Sequence, residues 1–235
     1  PMMRYIKQKG VGPIQLTTNA MLLDEKMSQD ILDSNIDFLH FSLDTTEKEV
    51  YEKVRVRGKF EQVQSNVARF LEMKERGGHK LPEIQVSMVK TKDTAHVVQD
   101  FVKTWRPRVD RVRVFYEHSS DGNFGSWGGK EVPKDKFPKR LPCLKIVQDM
   151  VIYCTGEAVL CNHDWDRKEF IGSVAKDSML DVWRGAMYTE IRKRHLEGRT
   201  VEDPTCRTCD QWMSFYLPDG FIGELYTREP EKATR

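Results

Sequence analysis

From the first residues to about residue 116, short β-branched or apolar runs alternate with longer stretches in which apolar side chains recur at helical spacing. This is the pattern of repeated β-α units around a parallel sheet. It predicts strands at Ile14 to Thr18, Phe38 to Leu43, Glu83 to Val89 and Arg111 to Phe115. Helices are expected to start near Asp24, to run from Phe60 to about Arg76, and to run from Thr94 to about Trp105. Thr46 and Glu49 stand three apart, the spacing of a capping box that opens a further helical turn. The opening, Pro1-Met2-Met3-Arg4-Tyr5, reads as part of an amphipathic helix running into Lys9-Gly10.

Residues 117–141 break this periodicity, with Gly, Ser, Asp, Lys and Pro surrounding Trp127-Gly128-Gly129, and predict a linking loop. Beyond it the pattern predicts a hairpin, Lys145 to Tyr153 and Glu157 to Leu160, turning through Cys154-Thr155-Gly156. A single helix is expected from about Met179 to Leu196, capped by Asp177 or Ser178 and stopped by Gly198. Met213 to Arg235 is polar apart from an apolar segment, Phe215 to Tyr226, to which the pattern assigns no element. The expected division is therefore 1–116, a linker 117–141, a small domain 142–212 and a tail 213–235.

A chain of 235 residues can bury a sizeable core as one large domain or a domain with an appendage. Its 39% hydrophobic and 31% charged residues, with no apolar run near the length of a membrane span, exclude a transmembrane helix and lead us to expect no membrane partner. Lys and Arg number 38 against 36 Asp and Glu, so nothing in the charge calls for a nucleic-acid partner. The opening has no secretory pattern, which makes a cytoplasmic location the expectation. G-x-S-x-G, Walker and G-x-G-x-x-G patterns are all missing, which removes the serine-hydrolase, phosphate-loop and dinucleotide readings.

All five cysteines fall in the last hundred residues. Cys206-Arg207-Thr208-Cys209 lets two thiolates converge on one metal centre from a tight turn. Cys143 precedes the predicted hairpin and Cys161 ends it, so antiparallel pairing would bring these two sulfurs together at its open end. Cys154, at the turn, is the odd fifth and is expected to be a packing residue. Four thiolates suit either zinc or an iron-sulfur cluster, and spacing does not separate the two.

Read as Cys143, twelve residues, Gly156, four residues, Cys161, the hairpin resembles the opening motif of the SPASM and twitch auxiliary domains of radical S-adenosylmethionine (radical SAM) enzymes. Asp164, Ile171-Gly172-Ser173-Val174, Leu180-Asp181-Val182-Trp183-Arg184-Gly185 and Arg192 before the closing Cys206-x-x-Cys209 extend the resemblance. Upstream, Leu16-Thr17-Thr18-Asn19 resembles the family's third barrel strand, with Ala20 where a glycine is usual, and Phe41-Ser42-Leu43-Asp44 resembles the end of the fourth.

The resemblance implies an incomplete (β/α) radical-SAM-type partial TIM barrel, followed by a small α+β SPASM/twitch iron-sulfur subdomain. It implies an auxiliary [4Fe-4S] cluster on Cys143, Cys161, Cys206 and Cys209, with S-adenosylmethionine held by Asn19, Ser42, Asp44 and Arg55. Arg57 competes with Arg55 for that role. The activity implied is reductive cleavage of S-adenosylmethionine and hydrogen abstraction from a small-molecule, carbohydrate or peptide substrate, fed by an electron donor such as flavodoxin or ferredoxin. Glu117, His118, Asp121 and His163 are candidate substrate contacts. No cysteine precedes Cys143, so the family's CxxxCxxC loop for a second [4Fe-4S] cluster is missing, as is its Gly-Gly-Glu strand motif. Both lie upstream in the family's order, and the chain is expected to be the C-terminal portion of such an enzyme, inactive alone. The competing readings are a zinc-stabilised binding module and a degenerate scaffold homologue.

Overall fold

The structure, a computed structural model, describes residues 1–117, 137–218 and 222–228. The candidate contacts His118 and Asp121 and most of the predicted linker lie outside these residues. The chain divides into two compact units. One comprises residues 1–116 with a returning strand from Gly223, and the other lies within 117–222.

The first unit is an α/β layer. Strands β1 (Gln15–Thr18), β2 (Phe38–Ser42), β3 (Glu83–Lys90) and β4 (Arg111–Tyr116) run parallel in that order. The helices are α1 (Met2–Gln8), α2 (Glu25–Ser34), α3 (Lys48–Val54), α4 (Phe60–Arg76) and α5 (Val98–Trp105), the last entered through a 3₁₀ turn at Ala95–Val97. Asp24 starts α2 by accepting the Met27 amide at 2.7 Å, satisfying one of the donors a helix start leaves open. Thr46 and Glu49 do not form the expected capping box. The Thr45 hydroxyl instead accepts the Glu47 amide, and α3 begins one residue later.

Strand alternation sorts the sheet into two faces. Leu39 and Phe41, Ile84, Val86 and Met88, and Val112 and Val114 are buried against Ile31, Leu32, Val63, Val67, Phe70, Phe101 and Trp105 from the helices. The other face is polar and in register: Thr17, His40, Gln85 and Arg111 form one row, and Ser42, Ser87 and Arg113 form the next. Alternation thus puts the helices on one face of the sheet and leaves its polar rows on the other.

The segment left unassigned by the sequence pattern supplies β8 (Gly223–Thr227), which pairs antiparallel with β4, Val112 opposite Tyr226 and Val114 opposite Glu224. The Tyr116 hydroxyl donates to Glu224 Oε1 at 2.7 Å, and the Tyr226 hydroxyl donates to the other oxygen. Gly223 is required here, because a Cβ would collide with the Val114 carbonyl oxygen. Gly223→Ala is expected to cost about 1–3 kcal/mol, as overpacking does, and to lower the thermal unfolding midpoint by several degrees. An unchanged midpoint would count against the seating of β8.

The second unit contains α6 (Lys145–Gln148) and a small antiparallel sheet of β5 (Val151–Ile152), β6 (Glu157–Val159) and β7 (Phe170–Ser173). It continues with α7 (Met179–Arg184) and α8 (Ala186–Leu196), and with 3₁₀ turns at Thr200–Glu202 and Gln211–Phe215. Three expectations are corrected. Lys145 to Gln148 is a helical turn and not the start of a strand. Ile171-Gly172-Ser173, in the stretch where the family resemblance implies a glycine turn, lies within a third strand. The helix expected to be continuous breaks at Gly185, whose extended backbone makes it the cap of α8. Ser178 is the cap of α7, its hydroxyl accepting the Asp181 amide at 3.1 Å. Arg192 ties the pieces together, donating to the carbonyls of Ile146 and Trp183 while its guanidinium lies 4.1 Å from the Trp183 ring centroid. Among the described residues no helix is long and apolar enough to cross a membrane.

Candidate cluster and cofactor sites

In the second unit, Cys161 follows β6 and Cys206 opens the turn after the Thr200–Glu202 3₁₀ segment. Both are buried in one core with Ile146, Leu160, Ile171, Tyr188 and Ile191. Cys143 and Cys209 are half-buried beside them, whereas Cys154 is exposed at the β5–β6 turn. Cys154 is therefore not the packing residue the sequence suggested.

Burial pushes all four of the remaining thiols above their ordinary range, Cys209 up to about 11. The field of Cys143 reaches Cys161 and Cys209, and that of Cys161 reaches Cys206 and Cys209. The sulfurs therefore share one locus. Backbone amides point at them from two residues on: Lys145 toward Cys143, Gln211 toward Cys209, and His163 toward Cys161 at 3.4 Å. Such donors favour the thiolate over the thiol. Cys206 differs, its strongest influences after burial being the carboxylates of Glu169 and Asp203.

Four buried or half-buried thiols at one locus fit an iron-sulfur cluster as they would fit a single tetrahedral ion. Tetrahedral zinc at about 2.3 Å per sulfur needs sulfurs about 3.8 Å apart. Among the described residues, one group of three or more His, Cys, Asp or Glu has its ligand atoms all within 4.8 Å of each other, and it is His195, Asp203 and Cys206 rather than the four thiols.

Sequence reasoning missed the shell around these sulfurs. Asp164 is buried, and its carboxylate accepts the amides of Lys168 and Glu169 and the Thr205 hydroxyl at 2.9, 3.1 and 3.0 Å. Glu169 is raised by burial and by the neighbouring Asp203. Asp203 is paired with Arg194 at 2.9 Å. Arg140 donates to the Cys206 carbonyl at 2.6 Å. His195 is buried, and burial next to Arg140 and Arg194 lowers it to about 4. One signal was available: Tyr188, Ile191 and His195 share the buried face of α8.

In the first unit, Ser42, Asp44 and Arg55 come together at the C-terminal end of β2. Arg55 donates from Nε to Asp44 Oδ2 at 2.7 Å and from Nη2 to Ser42 Oγ at 2.6 Å, while Asp44 Oδ1 accepts the Val89 amide at 3.1 Å. Among the described residues no hydrogen bond is made by Arg55 Nη1. Arg57 is exposed and does not share in this cluster. Asn19 stands at the same edge, after β1, with its side-chain oxygen accepting the Met21 amide at 3.1 Å. Ala20 beside it has φ +60, the left-handed conformation glycine adopts freely, and its carbonyl is held by Asn66 at 2.8 Å. Of the candidate substrate contacts, Glu117 follows β4 and is half-buried, and His163 lies beside Trp165 two residues after Cys161.

The model of the SPASM iron-sulfur cluster-binding domain matches residues 143–210. Over 68 residues, 29% of this chain, the sequence is 38% identical to a protein of Methanococcus maripaludis named "Probable GTP 3',8-cyclase", covering 22% of that protein. It is 23% identical over 103 residues, 43% of this chain, to the S-adenosyl-L-methionine-dependent 2-deoxy-scyllo-inosamine dehydrogenase of Niallia circulans, covering 41% of it. The chain thus spans less than half the length of these curated relatives. Streptococcus suis SuiB bound to S-adenosylmethionine superposes with a TM-score of 0.60 over 97% of this chain and 61% of SuiB, and at 13% identity this likeness establishes the fold. Residues 143–210 are therefore similar to the SPASM iron-sulfur cluster-binding domain, and the chain shares the fold of SuiB.

Proposed function

We propose that this chain is the cluster-bearing and cofactor-bearing portion of a radical SAM enzyme, with an auxiliary [4Fe-4S] cluster on Cys143, Cys161, Cys206 and Cys209 within a domain at 142–212. The single observation behind this is the set of four thiols at one locus, approached by backbone amides, within the residues that match the SPASM iron-sulfur domain. When bound, such a cluster supplies one-electron transfer. The chain's own part is to bury the sulfurs, to favour their thiolates through those amides and through Lys145 and Arg140 near Cys143, and to keep water away.

Ser42, Asp44 and Arg55, with Asn19, form the edge of the S-adenosylmethionine site in this reading, and residues 1–116 are part of the barrel wall. The strand ends are where such a fold collects ligands. Asp44 holds the guanidinium by Nε and Nη2, which leaves Nη1 to meet the ligand's carboxylate. The complete enzyme would cleave S-adenosylmethionine reductively and take a hydrogen atom from a small-molecule, carbohydrate or peptide substrate. Flavodoxin or ferredoxin would be the electron donor and the cytoplasm the reducing compartment.

Anaerobic purification with iron, sulfide and zinc analysis tests the cluster. About four irons and four sulfides per chain are expected, and one zinc without sulfide would overturn it. For the cofactor site, Arg55→Ala is expected to weaken S-adenosylmethionine binding by roughly 10- to 100-fold, since a charged hydrogen bond contributes about 1.5–3 kcal/mol. Arg57→Ala should leave it unchanged. Equilibrium dialysis with the cluster-loaded protein reads both, and equal effects from the two would remove Arg55 from the site.

A further inference from the structure

Among the buried side chains around the four sulfurs whose polar atoms lack partners, His195 is the one whose other ring nitrogen is fixed by a ligand's own backbone. Its Nδ1 accepts the Cys143 amide at 3.2 Å. A backbone N–H can only donate, so Nδ1 carries no proton and the neutral ring holds its hydrogen on Nε2. That Nε2 is buried and has no hydrogen-bond partner among the described residues. A buried donor left unmade costs about 1–3 kcal/mol, which invites an acceptor that arrives with the cluster.

Two candidate acceptors lie near the ring, neither of them hydrogen-bonded to Nε2 among the described residues. Asp203 Oδ2 is 3.9 Å from Nε2, too far for a hydrogen bond, and the Asp203 carboxylate already pairs with Arg194. Cys206 Sγ is the other, lying with His195 and Asp203 in a group whose ligand atoms are all within 4.8 Å of one another. A protonated thiol is a weak acceptor and a thiolate a good one, so the acceptor appears when Cys206 becomes a ligand. Cys143, Cys161 and Cys209 each have a backbone amide directed at sulfur, whereas burial and two carboxylates dominate at Cys206.

We propose that His195 is a positioning residue of the cluster site, whose Nε2–H donates to the Cys206 thiolate and thereby raises the cluster's reduction potential. The inference rests on the assignment of the four cysteines as ligands. A donor to sulfur withdraws electron density and stabilises the more electron-rich, reduced form. The ring also joins two ligands of opposite chain ends, holding Cys143 through its amide and Cys206 through its sulfur.

Two variants separate the ring's two contacts. His195→Asn keeps an acceptor near Nδ1 for the Cys143 amide but cannot reach Cys206, whereas His195→Gln can place an amide N–H near the Nε2 position. In the anaerobically purified full chain, iron and sulfide content reports whether the cluster assembles, and a redox titration followed by electron paramagnetic resonance reports its potential. The expected result is near-normal iron in both variants. The reduction equilibrium of His195→Asn should move about tenfold toward the oxidised form, about 59 mV for a one-electron couple, and His195→Gln should recover most of it.

Unchanged potential in His195→Asn at normal iron content overturns the proposal, as does loss of iron from both variants, which would make His195 a ligand or a packing residue. A wild-type chain without iron and sulfide fails the underlying assignment instead, and that outcome is distinct. If His195→Asn does not fold, the wild-type chain grown with histidine labelled by nitrogen-15 in the ring decides. A ring-nitrogen coupling to the reduced cluster, retained in His163→Gln, is expected, and its absence overturns the proposal.

Discussion

Cys161→Ala is expected to strip the protein of most of its bound iron and sulfide while leaving it folded. The two outcomes separate because they rest on different energies. Removing one sulfur from a core otherwise made of Ile146, Leu160, Ile171, Tyr188 and Ile191 leaves a small cavity, at a cost of about 1 kcal/mol. A domain with the usual 5–15 kcal/mol tolerates that loss. A cluster that loses one of four thiolates has no replacement, because the nearest acids are committed elsewhere: Asp164 to two amides and a hydroxyl, and Asp203 to Arg194. Cys143→Ala, Cys206→Ala and Cys209→Ala should behave alike, and Cys154→Ala, at an exposed turn, should keep its iron. Iron and sulfide assays beside far-ultraviolet circular dichroism make the check. Normal iron in Cys161→Ala, or equal loss from Cys154→Ala, would dismantle the ligand assignment.

The parts of the fold that were legible in the sequence are those whose signal is local. Strands β3 and β4 alternate β-branched with polar residues, β2 is rich in Phe and Leu, and α4 was placed because Val63, Val67 and Phe70 repeat at helical spacing. The misses arise where a local pattern has more than one solution. Ile146 and Val147 look like strand residues, yet they occupy a single helical turn. Thr46 and Glu49 match a capping box, yet Thr45 takes the amide that would have decided it. Strand β8 pairs with a partner more than a hundred residues earlier, and its Glu224 acquires meaning only opposite Tyr116.

The candidate sites divide in the same way. The cysteines announce themselves by spacing, and Ser42, Asp44 and Arg55 through the family resemblance, and the structure joins these three through hydrogen bonds. The residues around the sulfurs are less visible: Asp203 has no periodicity or motif to mark it, and His195 is marked only by its spacing from Tyr188 and Ile191 on α8. Burial is what makes such residues informative, and burial is a property of the packed chain. Asp203 is fully buried despite lying in a segment, Glu202-Asp203-Pro204, that reads as a polar loop.

Asp164→Ala is expected to be the most damaging substitution outside the cysteines, because Asp164 joins the loop after Cys161 to the loop before Cys206. Its carboxylate takes the amides of Lys168 and Glu169 on one side and the Thr205 hydroxyl on the other. Alanine would leave three donors without their acceptor in a buried setting. At about 1–3 kcal/mol for each unmade bond, with some relief from water, the total cost is on the order of 3–5 kcal/mol. Thr205→Val removes one of the three bonds and should cost about 1 kcal/mol. Chemical denaturation of the iron-free chain measures both, and an Asp164→Ala midpoint equal to wild type would refute the bridging role. Iron retention then separates support from ligation. Because Asp164→Ala destabilises the arrangement without removing a ligand, reconstitution at low temperature or with a stabilising osmolyte should restore its iron. Cys161→Ala, which lacks a sulfur, should not recover under either condition.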